Sequence, residues 1–242
     1  MFKYTLKEGI ILPTLLVLFI ILGIILRETL KTQKQRNIVF IVIGIMIFVL
    51  EIVKQIYCTV ATDYDYWKLP LHFCSLYVVL YPLSHCFGEK CSKIFKPLAF
   101  VYSVMGVILL YLFPSVLLGT TTENIFGSFV NFHGFVFHNF IPLYLVMSIC
   151  LDDYKARLTD CINCSIGIIF YATYAIPSAY HFKINYVNIL YSPIGFIDKI
   201  RLSEGQVAYN IFLIVAGILA SCLIVVITWF IQNKIIKKSK KS

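Results

Sequence analysis

Long apolar runs alternate with short polar segments along this chain. Seven runs reach the roughly 17–25 residues that a membrane-crossing helix needs. They are Ile10–Leu26, Ile38–Val60, Leu69–Phe87, Pro97–Leu118, Phe132–Leu151, Ile162–Tyr180 and Val207–Ile231. Lipid cannot satisfy exposed backbone groups, so each run is predicted to be a helix. A β-barrel would alternate apolar and polar residues in segments of about ten. Runs such as Ile38–Leu50 show no alternation. The pattern predicts an all-α polytopic membrane protein, a bundle of seven transmembrane helices, forming a single integral membrane domain over residues 1–242. The first run follows Lys3 and Lys7 but is not read as a signal peptide. No small-residue cleavage site follows it, and it leads into Arg27, Lys31, Lys34 and Arg36.

Composition agrees with the pattern. Of 242 residues, 60% are hydrophobic and 14% charged, and the mean hydropathy is +0.85. A soluble domain carries roughly 25% charge and 45–50% apolar residues, so a soluble globular enzyme is excluded, and disorder with it. The net charge of +9 becomes a topology signal once the basic residues are sorted by loop. Connections after spans 1, 3 and 5, together with the C-terminal tail, hold 14 of the 21 Lys and Arg residues. Lys3, Lys7, Lys68, Lys183, Lys199 and Arg201 lie on the other side, and Lys54 lies inside a span. The bias predicts a multi-pass protein of the cell membrane with the N-terminus outside and the C-terminus cytoplasmic. The tail Lys234, Lys237, Lys238, Lys240 and Lys241 is placed to meet anionic lipid. Nucleic acid is not an expected partner, because no folded basic face is indicated. The eight cysteines lie mostly in or beside spans, unlike a secreted disulfide framework. Cys161 and Cys164 form a lone CxxC without the partner pair a zinc site needs, so no metal and no cofactor is expected.

The informative residues are those that lipid should exclude. Ionisable groups inside spans are costly and are functional candidates by default. Glu51 and Lys54 fall in span 2, His72 and Cys74 in span 3, and His133 and His138 in span 5; His181 and Asn185 lie just past span 6. At about 1.5 Å of rise per residue, Glu51 lies about 3 Å and Lys54 about 7 Å past the middle of span 2. Cys74, His72 and His138 lie about 6, 9 and 5 Å before the middles of their spans. Alternate spans run in opposite directions, so these residues share one layer on the N-terminal side. Glu51 and Lys54, three apart, sit on one helix face, where pairing lowers the cost of burial. Such a pair serves equally well as a structural tie between spans. His72 and Cys74, two apart, point to nearly opposite sides of a regular helix, so any base for Cys74 comes from another span. If Pro70 starts span 3, Cys74 lies just beyond its first turn, near the positive end of the helix dipole. A cysteine in a span is otherwise a small apolar residue. His133 is nearer the surface than His138, and His85, at the cytoplasmic end of span 3, stands apart from this layer.

Leu69-Pro70-Leu71-His72-Phe73-Cys74 resembles the LPLHxC signature of the YwaF-like integral membrane proteins. Glu51 and Lys54 resemble that family's acidic and basic residues in the preceding helix. Phe113-Pro114, the Asn131–His138 segment with its two histidines, and Asn185-Tyr186 resemble further family patterns. The resemblance covers essentially the whole chain. A related vertebrate family is described as moving fatty acyl chains onto ether-linked lysophospholipids. The resemblance therefore implies Cys74 as nucleophile and His138 as base, acting on membrane lipids, a phospholipid or lysophospholipid. His72, Glu51, Lys54, His133 and Asn185 are the implied substrate-binding or supporting residues. Around the sixth span, His181 and Lys183 depart from the pattern.

Three functions are weighed on these residues. The first is lipid acyl transfer through Cys74 and His138. The second is a proton-coupled small-solute transporter or channel built on Glu51, Lys54 and the histidines. The third is a non-catalytic membrane scaffold. Glycine-rich nucleotide loops, GxSxG and HExxH motifs are missing from the sequence, and the last span lacks a lysine for a retinal Schiff base.

Overall fold

A computed structural model describes residues 6–61, 64–114, 118 and 124–239, with side chains described from 9 to 234 within those ranges. Lys3, Lys240, Lys241 and the stretch 115–117 of the fourth predicted span lie outside the described residues, as do the side chains of Lys7, Lys237 and Lys238. Helix α1 spans Leu6–Thr29, α2 Gln33–Ala61, α3 Leu76–His85, α4 Gly88–Leu112, α5 Phe129–Cys150, α6 Asp160–Phe182 and α7 Gly195–Ser239. The described residues contain no strand. Among the described residues, six helices are long and apolar enough to cross a membrane, and Phe73–His85 forms a shorter apolar helical stretch. The protein is an all-helical, multi-pass membrane protein.

The chain divides into two compact units, one of residues 1–60 and 77–155, the other of 61–76 and 156–242. In the first unit, α2 shows how the sequence sets its packing. Phe40, Ile43, Gly44, Ile47, Glu51, Lys54 and Cys58 are buried at spacings of three, four or seven, one stripe along the helix. Val42, Ile45, Met46, Val49, Ile52, Val53 and Ile56 are exposed on the rest of the helix, as lipid-facing residues are. Glu51 and Lys54 thus continue an apolar stripe inward. Gly44 lets α2 approach α3 closely, since a Cβ there would lie 3.1 Å from the backbone nitrogen of Pro82. Leu12, Leu110 and Leu118 form a separate apolar cluster in this unit, and the Tyr111 hydroxyl donates to the Leu12 carbonyl at 2.9 Å.

In the second unit, α6 and α7 pack antiparallel. The Asn210 amide donates to the Tyr180 hydroxyl at 3.2 Å near one end, and the Gln232 carbonyl oxygen accepts from the Ala156 N–H at 2.9 Å near the other. Tyr171, Ala175, Ala179, Tyr186 and Ile189 form the core, with Leu71, Phe73 and Leu76 packed on it. Gly205 interrupts α7 with φ 87° and ψ 171°, a region open essentially to glycine alone.

Three helices differ from the apolar runs. The third run is only partly helical. Leu69 is extended (ψ 145°), as the residue before proline must be. His72 is extended too (ψ 153°), and a 3₁₀ turn over Phe73–Ser75 precedes α3. Pro70 therefore does not start the helix, and the expected first-turn position of Cys74 gives way to the 3₁₀ turn. Helix α4 begins at Gly88, nine residues before the predicted Pro97, because Lys90, Lys93 and Lys96 occupy helical turns that hydropathy cannot see. Helix α7 begins at Gly195, twelve residues before the predicted Val207.

Candidate functional site

The first unit gathers Glu51, Lys54 and His133. Glu51 Oε1 lies 2.6 Å from Lys54 Nζ and accepts from Gln55 Nε2 at 2.7 Å. Glu51 Oε2 lies 3.4 Å from His133 Nε2. That contact has the distance of an ion pair but not the alignment of a hydrogen bond, and His133 Nε2 is buried without a hydrogen-bond partner. All three side chains are buried, so His133 is no surface residue and lies at the level of Glu51. The ion pair offsets part of the cost of burying its charges; its carboxylate ties α2 to α5.

One turn further along α5, His138 Nδ1 lies 2.7 Å from the Gly134 carbonyl oxygen. A carbonyl only accepts, so Nδ1 carries a proton, and the bond fixes the ring against the helix backbone.

The second unit holds Cys74 in a pinned loop. The Tyr171 hydroxyl donates to the Leu71 carbonyl at 2.8 Å, and the Phe73 ring meets Tyr171 edge-on. His72 Nε2 donates to the Trp67 carbonyl at 3.2 Å, with its ring edge-on to Trp67 and Tyr186. The Tyr186 hydroxyl donates to the Tyr66 carbonyl. Cys74 is half-buried in the 3₁₀ turn that follows. His72 thus organises the backbone before Cys74 through its Nε2–H. Asn185 is a loop residue: its Nδ2 donates to the Tyr191 carbonyl at 2.9 Å and its Oδ1 accepts from the Leu190 and Tyr191 N–H groups. His181 is exposed and packs edge-on against Phe182. Among the described residues, no three His, Cys, Asp or Glu side chains are grouped to hold a metal ion.

A model of the TMEM164 family matches residues 4–228. The chain belongs to the TMEM164 family. No curated protein and no solved structure matches it. The match extends from before α1 into α7, so it covers most of both units of this TMEM164-family protein, with the Cys74 loop and the Glu51 cluster inside it.

The family chain has a further polar centre that the sequence reading set aside. His85 is buried and stacks on Phe40 at 4.6 Å. Its Nδ1 lies 3.0 Å from Asn37 Oδ1, and its Nε2 lies 3.1 Å from the Tyr144 hydroxyl and 3.6 Å from Asp153 Oδ2. Asp153 Oδ1 pairs with Lys96 Nζ at 2.6 Å. Burial pushes the Asp153 carboxyl above its ordinary value, and Lys96 pulls it back. A signal was present in the sequence: Tyr77, Tyr81 and His85 recur every four residues, one polar line along α3.

Proposed function

We propose that this TMEM164-family protein is a membrane-embedded lipid acyltransferase. The LPLHFC segment is read as the signature that it resembles in YwaF-like proteins. Cys74 is the nucleophile and His138 the base. In this reading His138 takes the Cys74 thiol proton, and the thiolate attacks an ester carbonyl carbon of a phospholipid. The C–S bond forms, the ester C–O bond breaks, and the leaving lysophospholipid oxygen takes the proton back from His138. In the second half, His138 removes the proton of a lysolipid hydroxyl. That oxygen attacks the thioester, the C–S bond breaks, and the thiolate is reprotonated. No redox partner or cofactor enters this balance.

The observation that supports the reading best is the His138 Nδ1–H bond to the Gly134 carbonyl at 2.7 Å, which fixes the orientation of the ring on α5. The loop before Cys74 supports it further. Three side chains, Tyr171, His72 and Tyr186, hold carbonyls of residues 66–71, and a nucleophile gains from such fixed placement. The reading places the protein in the cell membrane with the N-terminus outside and the C-terminus cytoplasmic. Purified protein in phospholipid vesicles with a labelled lysophospholipid tests it. Acyl exchange above protein-free vesicles that Cys74→Ala abolishes, with the variant still folded, is expected; exchange undiminished in that variant refutes the nucleophile.

A further inference from the structure

Helices α6 and α7 of the second unit approach through small residues. Gly217 on α7 faces Ile168 on α6, and a Cβ there would lie 3.5 Å from Ile168 Cγ2. Two turns nearer the start of α6, Cys161 and Cys222 face each other. Cys161 Sγ lies 3.9 Å from the Cys222 carbonyl oxygen, and Cys222 Sγ lies 3.9 Å from the Cys161 carbonyl oxygen. Ser165 Oγ, one turn along α6, donates to the Cys161 carbonyl at 2.8 Å and lies 3.7 Å from Cys222 Sγ. The pair fits the antiparallel register, with the Ala156–Gln232 contact on one side of it and the Tyr180–Asn210 contact on the other.

Two cysteines can be bridged only when their backbones are close and their Cβ vectors converge. The reciprocal contacts meet the second condition and favour the first. Each sulfur reaches the backbone of the other residue, so both lie in the gap between the helices. A thiol is a weak donor, and contacts of 3.9 Å are long, so turning the two sulfurs toward each other gives up little. Both thiols are also reachable. Cys161 and Cys222 are partly exposed, and Cys161 is the second residue of α6, at the edge of its apolar span. Cys164, three residues further on, is fully buried.

We propose that Cys161 and Cys222 are a site of reversible oxidation, at which a hydroperoxide converts the two thiols into a disulfide that clamps α6 to α7. One thiolate attacks the hydroperoxide, the O–O bond breaks, and the thiol becomes a sulfenic acid while an alcohol leaves, or water when the oxidant is hydrogen peroxide. The second sulfur attacks the sulfenic sulfur. The S–S bond forms, the S–O bond breaks, and the oxygen leaves as water with the second thiol's proton. The two thiols lose two electrons and the hydroperoxide gains them. A cellular thiol reverses the step by exchange. The clamp uses neither Cys74 nor His138 and stands or falls separately from acyl transfer.

The test uses the full-length protein in detergent micelles. The protein is fully reduced, treated with hydrogen peroxide and blocked with N-ethylmaleimide before digestion. Mass spectrometry without reduction is expected to find the Cys161 peptide joined to the Cys222 peptide, two hydrogens lighter than the separate pair, and dithiothreitol is expected to part them. Cys164→Ala is expected to keep the link, and Cys161→Ser and Cys222→Ser to lose it. The two residues are 61 apart in sequence, so the bond closes a long loop. The melting temperature of the wild type is therefore expected to rise by roughly 5–10 °C on oxidation and to return with dithiothreitol. Wild-type protein that stays reduced, or that carries sulfinic acid at these positions without the link, overturns the proposal. So does a link that persists in Cys161→Ser, which would place the bond at Cys164, or a melting temperature that does not rise.

Discussion

Replacing Glu51 by glutamine tests whether the Glu51–Lys54 pair is a buried charge pair. The side chains of Lys54 and Glu51 are 11% and 7% exposed, and their charged atoms are 2.6 Å apart. Glutamine keeps the shape and removes the charge, which leaves the lysine ammonium without its carboxylate. Removing one partner of a buried pair costs about 3–5 kcal/mol. A lysine at the middle of a membrane helix costs about 2.5–3.5 kcal/mol on insertion scales. The two ranges meet near 3 kcal/mol. Lys54 cannot escape by extending to the surface, because α2 continues seven residues to Ala61, about 10 Å. Lys54→Gln should cost less, since Glu51 retains Gln55 and His133. In the double variant both charges are gone, so a double-mutant cycle should give a coupling of roughly 1.5–3 kcal/mol. Unfolding of the purified protein in mixed micelles, followed by far-ultraviolet circular dichroism, measures each term. Glu51→Gln within about 0.5 kcal/mol of wild type, the range of an ordinary surface change, refutes the reasoning. A double variant no more stable than Glu51→Gln refutes it as well.

Two further outcomes follow from the second unit. Tyr171→Phe removes the hydrogen bond to the Leu71 carbonyl at 2.8 Å, worth about 1 kcal/mol. It should slow acyl exchange several-fold with the fold intact, and an unchanged exchange rate would show that the pinned loop does not position Cys74. Gly205→Ala places a side chain at φ 87°, which costs about 1–3 kcal/mol. A lower melting temperature in detergent is expected, and an unchanged one would remove the need for glycine at that break.

The helices were legible in the sequence where apolar residues run without interruption. The run Ile38–Val60 lies within α2, and Ile162–Tyr180 within α6. Their ends were less legible, because Gly88–Lys96 is polar yet helical and hydropathy reads only the apolar part of a helix. The third run misled for a different reason. Pro70 is a good first helical residue, but it also forces Leu69 to be extended, and His72 fixes the loop through Trp67. Glu51, Lys54 and His133 could be found because lipid excludes them. His85 ends α3, Asp153 follows α5 and Lys96 lies in the polar first turns of α4, all places where polar residues are ordinary, and only the fold brings them together. Asn185 stood out through its motif; in the fold its amide holds the backbone of residues 190 and 191.

The central claim is that Cys74 carries the acyl chain. The most direct measurement is the mass of the peptide containing Cys74 after the protein is incubated with phospholipid vesicles and quenched in acid. A fatty-acyl adduct on Cys74 that hydroxylamine removes and that an added lysophospholipid discharges is expected. An unmodified Cys74 peptide, in protein that nonetheless exchanges acyl chains, would contradict it.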